Sequence, residues 1–155
     1  MQRIESFAVN HDLLDPGVYL SRTDGDTVTF DIRMKKPNGG DYLSYGVMHP
    51  IEHLLATYVR NSPLANAVIY AGPMGCRTGF YLVMRDSAPT GEVIGLIRGA
   101  MAYIAAFTGD IPGNSRQECG HYEEHDLAGA KRAAAAMAAV LKNWTTAQLA
   151  YKQSE

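Results

Sequence analysis

The sequence predicts an α+β fold in which an antiparallel β-sheet has helices packed on one face. Two apolar, β-prone runs, residues 67–71 and 80–84, flank a glycine-rich loop and predict a β-hairpin. Residues 27–34 alternate apolar and polar side chains, as in a half-buried strand. One face carries Val28, Phe30, Ile32 and Met34, and the other carries Thr27, Thr29, Asp31 and Arg33. Hairpin-joined strands interleaved with helices are typical of α+β proteins.

Three segments are predicted to be helical. The first covers residues 49–60, and the second covers residues 90–107 with Thr90 as its cap. The second has an apolar stripe at helical spacing, formed by Val93, Ile94, Ile97, Met101 and Ile104. A third helix runs from about Asp126 to Asn143 through an alanine-rich tract, and another turn follows from Thr145 or Thr146.

The composition predicts one globular domain over residues 1–155. Apolar residues make up 46%, charged residues make up 19% and the formal net charge is −2. This balance argues against a nucleic-acid-binding protein, which needs a basic surface. The start, residues 1–6, lacks the apolar core of a signal peptide, and no apolar run approaches the about 18 residues of a membrane span. We therefore expect a cytoplasmic protein without membrane spans, in which Cys76 and Cys119 stay as free thiols.

The segment from His49 to His53 is an H-x-x-E-H motif. In a helix, His49 and His53 lie one turn apart on one face, where two imidazoles can share a divalent metal ion. Glu52 lies at the edge of the same face and can transfer protons beside the metal without binding it. The motif therefore supplies two ligands and a candidate general acid or base.

The third metal ligand is not determined by this motif. A catalytic site needs three protein ligands and an open position, and the third could be Cys119 or a nearby carboxylate. The candidate carboxylates are Glu118, Glu123 and Glu124. A second H-x-x-E-H match runs from His121 to His125, so Cys119, His121 and His125 form a rival local set. Composition and spacing leave these alternatives open.

Cys76 is a further candidate for chemistry. It lies in the predicted loop between two strands and is followed by Arg77, whose charge favours a thiolate. A thiolate beside a metal site can act as a nucleophile or exchange protons. The alternative is a small residue that fills a turn.

Several motifs together resemble the S-ribosylhomocysteine lyase (LuxS) family. They are the H-x-x-E-H segment, the loop Pro-Met-Gly-Cys-Arg-Thr-Gly at residues 73–79, and Glu-Cys-Gly at residues 118–120. The similarity extends to Glu-Ser-Phe at residues 5–7 with His11, and to Phe-Asp-Ile-Arg at residues 30–33. It covers nearly the whole chain, and the loop around Cys76 is its most specific part.

The resemblance implies a role for each matching residue. His49, His53 and Cys119 would bind one divalent metal ion per subunit, expected to be iron(II) and replaceable by zinc or cobalt. Glu52 and Cys76 would be the acid/base pair. Ser6, His11 and Arg33 match positions that line the substrate pocket. His121 and His125 would then lie outside the ligand set.

The resemblance also implies a reaction and an assembly. Such an enzyme cleaves the thioether of S-ribosylhomocysteine through metal-assisted carbonyl shifts and β-elimination. The products are homocysteine and 4,5-dihydroxy-2,3-pentanedione, the precursor of autoinducer-2. The family forms homodimers with active sites at the interface, where part of the pocket comes from the partner chain.

Three positions depart from the family pattern, and two other functions compete with the lyase. Pro50 replaces a usual threonine, Lys35 a common cysteine, and Tyr70 a usual acidic residue before the loop cysteine. A zinc metallopeptidase of the inverted H-x-x-E-H type would use a glutamate as third ligand and give Cys76 no role. A structural metal module would close the site with a fourth protein ligand, for which Cys76 is the candidate.

Overall fold

The computed structural model describes residues 2, 4 and 7–152, which form a four-stranded antiparallel sheet and three α-helices. The strands are β1 (Gly17–Asp24), β2 (Thr27–Arg33), β3 (Val68–Pro73) and β4 (Gly79–Arg85). The helices are α1 (Tyr45–Arg60), α2 (Thr90–Ala106) and α3 (Leu127–Leu141), with short 3₁₀ turns at His11–Leu13, Ala65–Ala67 and Thr146–Gln148. The predicted α+β class is confirmed.

Two hairpins lie side by side in the sheet, with the strand order β1-β2-β4-β3. All three pairings are antiparallel, including the central pair β2 and β4, which brings Arg33 opposite Gly79. The predicted hairpin of β3 and β4 is confirmed. Strand β1 was not predicted, and a register shift between Leu20 and Arg22 interrupts the alternation that would have revealed it.

One face of the sheet packs against the helices. Val28, Phe30 and Ile32 of β2 are buried in the same cluster as the apolar stripe predicted for α2. On the other face of the sheet, Thr29, Tyr81 and Val83 are only half-buried. The core therefore lies between the helix layer and one sheet face, as the alternation in residues 27–34 predicts.

Helix α1 begins four residues earlier than predicted. The Ser44 side chain caps it by accepting a hydrogen bond from the Val47 amide, so Pro50 lies inside the helix rather than in its first turn. Proline has no N–H to donate to the carbonyl four residues earlier, which is that of Gly46. The Gly46 carbonyl instead accepts a 2.7 Å hydrogen bond from the Asp126 amide. The proline thus frees a backbone acceptor that joins α1 to the start of α3.

The other helices lie close to their predicted positions. Helix α2 starts at Thr90, but Thr90 is its first residue and not a side-chain cap. Helix α3 is capped by Asp126, whose side chain accepts a 2.8 Å hydrogen bond from the Gly129 amide. The segment between α2 and α3 contains no helix or strand, so its position depends on individual contacts with α1. No helix among the described residues is long and apolar enough to cross a membrane.

Two charged side chains of β2 are more buried than the sequence predicts. Asp31 and Arg33 lie on the face opposite the helices, yet they are only 1% and 3% exposed. They form a buried ion pair, and Tyr151, which follows the last 3₁₀ turn, covers Asp31 with a 2.8 Å hydrogen bond. The alternating pattern could not reveal this cover, because it comes from the far end of the chain.

Gly129 allows α3 to pack tightly against α1. A Cβ atom at this position would clash with the Asp126 carboxylate and lie 2.6 Å from Val47 Cγ2. We expect Gly129→Ala to lower the free energy of unfolding by about 1–3 kcal/mol, as overpacking in a core does. Urea unfolding followed by circular dichroism measures this change.

Gly95→Ala in α2 is the matched control. A Cβ atom at Gly95 would meet nothing within 4 Å. Alanine there should raise the free energy of unfolding by about 0.5–1 kcal/mol, since glycine is unfavourable in a helix interior. Equal effects of the two substitutions would contradict the packing argument.

Candidate metal centre and active site

Three predicted ligand residues converge at the start of α1. Cys119 Sγ lies 3.3 Å from His49 Nε2 and 3.8 Å from His53 Nε2. With metal–ligand bonds of about 2.0–2.3 Å, the edges of a tetrahedral site are about 3.6 Å long. These donor atoms therefore have the separation expected of ligands that share one ion.

The His53 ring is oriented by a backbone contact. Its Nδ1 donates a 2.8 Å hydrogen bond to the carbonyl of Pro112, in the segment between α2 and α3. The proton on Nδ1 leaves the Nε2 lone pair free to face Cys119. A carbonyl in this role is the usual partner of a metal-binding histidine, since it fixes the ring and its tautomer.

Two hydrogen bonds at Cys119 fix the position of its sulfur. The His121 amide donates a hydrogen bond to Sγ at 3.4 Å, and the Cys119 amide donates to the Ser115 carbonyl at 2.9 Å. A backbone donor at sulfur stabilises the thiolate, which is the form that binds metal.

His125 belongs to the same cluster, although the resemblance sets it aside. Its donor atoms and those of His49, His53 and Cys119 all lie within 4.8 Å of one another. The His125 ring stacks on His49 with 4.1 Å between ring centroids. Burial, together with the neighbouring His49 and His53, lowers the pKa of His125 to about 4, so the ring is neutral at pH 7.

Both ring nitrogens of His125 are buried without a hydrogen-bond partner in the described part of the chain. Buried polar atoms are almost always paired, so a polar group belongs beside this ring. A metal ion in this cluster would supply such a group through the water or substrate atom at its open position. Two imidazoles and a thiolate suit zinc, iron(II) or cobalt(II), and the residues therefore fit a divalent transition metal.

The other residues predicted as possible third ligands have hydrogen-bond or ion-pair partners of their own. Glu118 accepts a 2.6 Å hydrogen bond from Ser115, Glu123 accepts one from Tyr122, and Glu124 pairs with His121 at 3.2 Å. His121 is exposed, and residues 121–125 contain no helix, so the second H-x-x-E-H match does not share one helix face. Among the candidate third ligands, the structure brings Cys119 to the two histidines, and His125 lies beside them.

Cys76 lies outside this cluster, on the exposed end of a buried polar chain. Its Sγ is 3.0 Å from Thr78 Oγ1 and 3.9 Å from Arg33 Nη1. Arg33 also donates to Thr78 Oγ1 at 2.7 Å and to both carboxylate oxygens of Asp31. Burial lowers the pKa of Arg33, but Asp31 more than compensates, and the net pKa is raised. The guanidinium is therefore a permanent positive charge beneath the thiol.

A surface cavity of about 230 Å³ opens in front of Cys76. It is lined by His11, Pro37, Asn38, Tyr42, Cys76, Arg77 and Thr78. His11 thus shares a cavity with the candidate acid/base thiol, while Arg33 lies buried beneath it. Ser6 lies outside the described residues. A larger cavity of about 590 Å³, beside Tyr58 and Leu96, contains none of the candidate residues.

Glu52 lies on α1, immediately before His53, and is half-buried. The helix places it beside the predicted ligands, as the motif requires. Glu52 and Cys76 come from different layers of the fold, because one is on a helix and the other in the β3–β4 loop. No local sequence pattern could have shown how these layers meet.

Tyr70, which departs from the family pattern, lies in β3 beside Gly72. Its side chain is 54% exposed and folds over Gly72, where an added Cβ atom would clash with the phenol. The phenol therefore occupies the space that a side chain at residue 72 would take.

Comparison with known proteins agrees with this geometry. The family model for S-ribosylhomocysteinase (LuxS) matches residues 4–148. The S-ribosylhomocysteine lyase of Phocaeicola vulgatus is 42% identical over 161 aligned positions, covering 100% of both chains. That of Clostridium beijerinckii is 47% identical over 136 positions, covering 84% of this chain and 86% of the relative. This chain belongs to the S-ribosylhomocysteinase (LuxS) family.

Proposed function

We propose that this protein is an S-ribosylhomocysteine lyase, a carbon–sulfur lyase that releases homocysteine and 4,5-dihydroxy-2,3-pentanedione. The observation that carries the proposal is the convergence of His49, His53 and Cys119 in a chain of this family. Relatives at 38–47% identity bear the name S-ribosylhomocysteine lyase. The second product is the precursor of autoinducer-2, and the first returns homocysteine for recycling.

His49, His53 and Cys119 would hold one divalent ion per subunit, for which we propose iron(II), with zinc or cobalt as substitutes. Three protein ligands leave one position for substrate, as in catalytic rather than structural sites. When bound, the ion supplies Lewis-acid polarisation of the substrate carbonyl. Cys76 lies outside the cluster, so a structural module would have to close the site with His125 instead.

The reaction requires protons to leave and return at several carbons. In the open-chain aldehyde, the C2 proton is acidic, and its return at C1 moves the carbonyl to C2. A second shift moves the carbonyl to C3, and loss of the C4 proton then expels the homocysteine sulfur from C5. Each transfer needs a side chain that alternates between base and acid.

Cys76 and Glu52 are the two groups proposed for these transfers. Cys76 would move the proton between C1 and C2, and Glu52 would act at C3 and C4. Arg33 beneath Cys76 favours the thiolate that removes a proton. Two bases from different parts of the fold suit a substrate whose reacting carbons lie at both ends of one ribose chain.

The pocket for substrate would be completed by Ser6, His11 and Arg33. His11 supports this placement, because it lines the cavity in front of Cys76. Arg33 is 3% exposed and donates to Asp31 and Thr78, so it would act on substrate through the thiol that it faces. We also propose a cytoplasmic location, where reducing conditions keep Cys76 and Cys119 free as the structure has them.

The homodimer is a further part of the proposal. Two exposed aromatic residues lie at the Cys76 cavity. Tyr42 lines it, and Tyr42 and Tyr45, which are 39% and 60% exposed, both lie against the guanidinium of Arg77 in its lining. Clustered exposed aromatics of this kind are enriched at protein interfaces. A second copy against this surface would close the cavity.

Homocysteine release tests the activity. Iron- or cobalt-loaded protein is given S-ribosylhomocysteine, and free thiol is measured with a thiol reagent. Cys76→Ala and Glu52→Gln should each lower the rate at least about 10²-fold, because each removes a group that transfers protons. Glu123→Gln removes an exposed carboxylate near Cys119 and should release homocysteine at the wild-type rate.

The separate roles of Cys76 and Glu52 are tested by a second measurement, the exchange of the substrate C2 proton with solvent. Cys76→Ala should fail to exchange the C2 proton of the substrate with solvent. Normal exchange in this variant would rule out the proposed role of Cys76. Absence of homocysteine release from metal-loaded wild-type protein would rule out the lyase itself.

The mass in solution tests the dimer. Light scattering coupled to size exclusion should give twice the chain mass of 16.9 kDa. Tyr42→Asp places a charge in the proposed interface and should shift the protein towards the single-chain mass. A wild-type protein that is active as a single chain would contradict the interface site.

A further inference from the structure

The charged and polar side chains buried among the described residues form one connected set. They are Asp31, Arg33 and Thr78, with exposed fractions of 1%, 3% and 2%. A buried ion pair contributes little net stability, because desolvation of its charges offsets their attraction. This set ends at Cys76, which points to a role at that thiol.

The hydrogen bonds within the set have a defined direction. Arg33 has only donors, so its Nη1 uses a lone pair of Thr78 Oγ1 at 2.7 Å. The Thr78 hydroxyl then has its proton to donate. In the described part of the chain, Cys76 Sγ at 3.0 Å is the acceptor in contact with that hydroxyl. The network therefore presents a donor to the sulfur, which suits a thiolate.

The far end of the set is fixed by the C-terminal segment. Asp31 holds Arg33 through two hydrogen bonds of 3.1 and 2.6 Å, and its Oδ2 also accepts one of 2.8 Å from the Tyr151 hydroxyl. Burial raises the pKa of Tyr151, followed by the effect of the Asp31 charge, so the phenol stays a donor. Its ring stacks on Tyr19 with 5.2 Å between centroids.

We propose that Thr78 is the positioning residue for Cys76, donating a hydrogen bond that holds the sulfur as a thiolate. Arg33 and Asp31 orient Thr78, and Tyr151 secures that pair by its hydrogen bond to Asp31 on the sheet face opposite the helices. The inference deepens the proposed function, since it rests on Cys76 as an acid/base group. Other groups around the cavity are His11, Arg77 and Tyr42, and Arg33 is the charge that faces the sulfur from β2.

The test measures alkylation of Cys76 by iodoacetamide across a range of pH, with peptide mass spectrometry to separate Cys76 from Cys119. Thr78→Val removes the hydroxyl and keeps the shape. We expect the midpoint of its rate profile to rise by about one pH unit or more, the effect of losing a hydrogen bond to a charged group. Thr78→Ser keeps the donor and should retain the wild-type midpoint.

Substitution of Tyr151, at the Asp31 end of the set, gives a second test with a smaller expected shift of the alkylation midpoint. Tyr151→Phe removes the donor to Asp31 and should raise the midpoint in the same direction by less. Tyr19→Phe is the matched control, because its hydroxyl donates to the Asp15 carbonyl and not to this set. It should leave the midpoint unchanged.

Alkylation of Cys76 needs no substrate, so its pH profile can be interpreted whether or not the protein releases homocysteine. A folded Thr78→Val protein with the wild-type midpoint would overturn the inference, whatever its activity. If that variant fails to fold, Thr78→Ala removes the same hydroxyl, and an unchanged midpoint in that variant would overturn the inference instead. A raised midpoint in Thr78→Val with none in Tyr151→Phe would support Thr78 and overturn the role of Tyr151.

Discussion

The docking of segment 107–126 onto the first turns of α1 is the contact on which the candidate site depends. Helix α1 alone offers two imidazoles, and this segment supplies the thiolate and His125 although it contains no helix or strand. Two hydrogen bonds fix it: the Asp126 amide donates to the Gly46 carbonyl, and the His53 ring donates to the Pro112 carbonyl. A metal bound between the two pieces would strengthen the same contact, so metal binding and local folding are coupled.

The metal cluster and Cys76 are held in place by different contacts. The metal cluster is assembled from imidazoles and a cysteine sulfur that α1 and segment 107–126 bring together. Cys76 is instead contacted from within the fold by Arg33, which belongs to a buried ion pair with Asp31. In the proposed mechanism a metal ion bound in the cluster would polarise the substrate, and Cys76 would share the proton transfers with Glu52 of α1.

Much of the fold could be predicted because the hydrophobic pattern of a strand or helix is local in the sequence. The meeting of residues from distant segments leaves no such local pattern. Alternation and apolar stripes identified β2, β4 and α2 within a residue or two. Strand β1 was missed because of its register shift. The helix predicted from His49 begins at Tyr45, because Ser44, and not the histidine motif, sets its start. The spacing of residues left the third ligand open, since Cys119 is brought to His53 only by folding. The family motifs identified Cys119, but the place of His125 required the structure.

The most direct test of this account is the metal content of purified protein and two variants, measured by plasma mass spectrometry. We predict one ion per chain in the wild type, its loss in Cys119→Ala, and its retention in His125→Ala. Metal retained without Cys119 would contradict the thiolate ligand and favour a carboxylate, as in a metallopeptidase. Metal lost without His125 would show a site closed by four protein ligands, which leaves no position for substrate and contradicts the lyase mechanism.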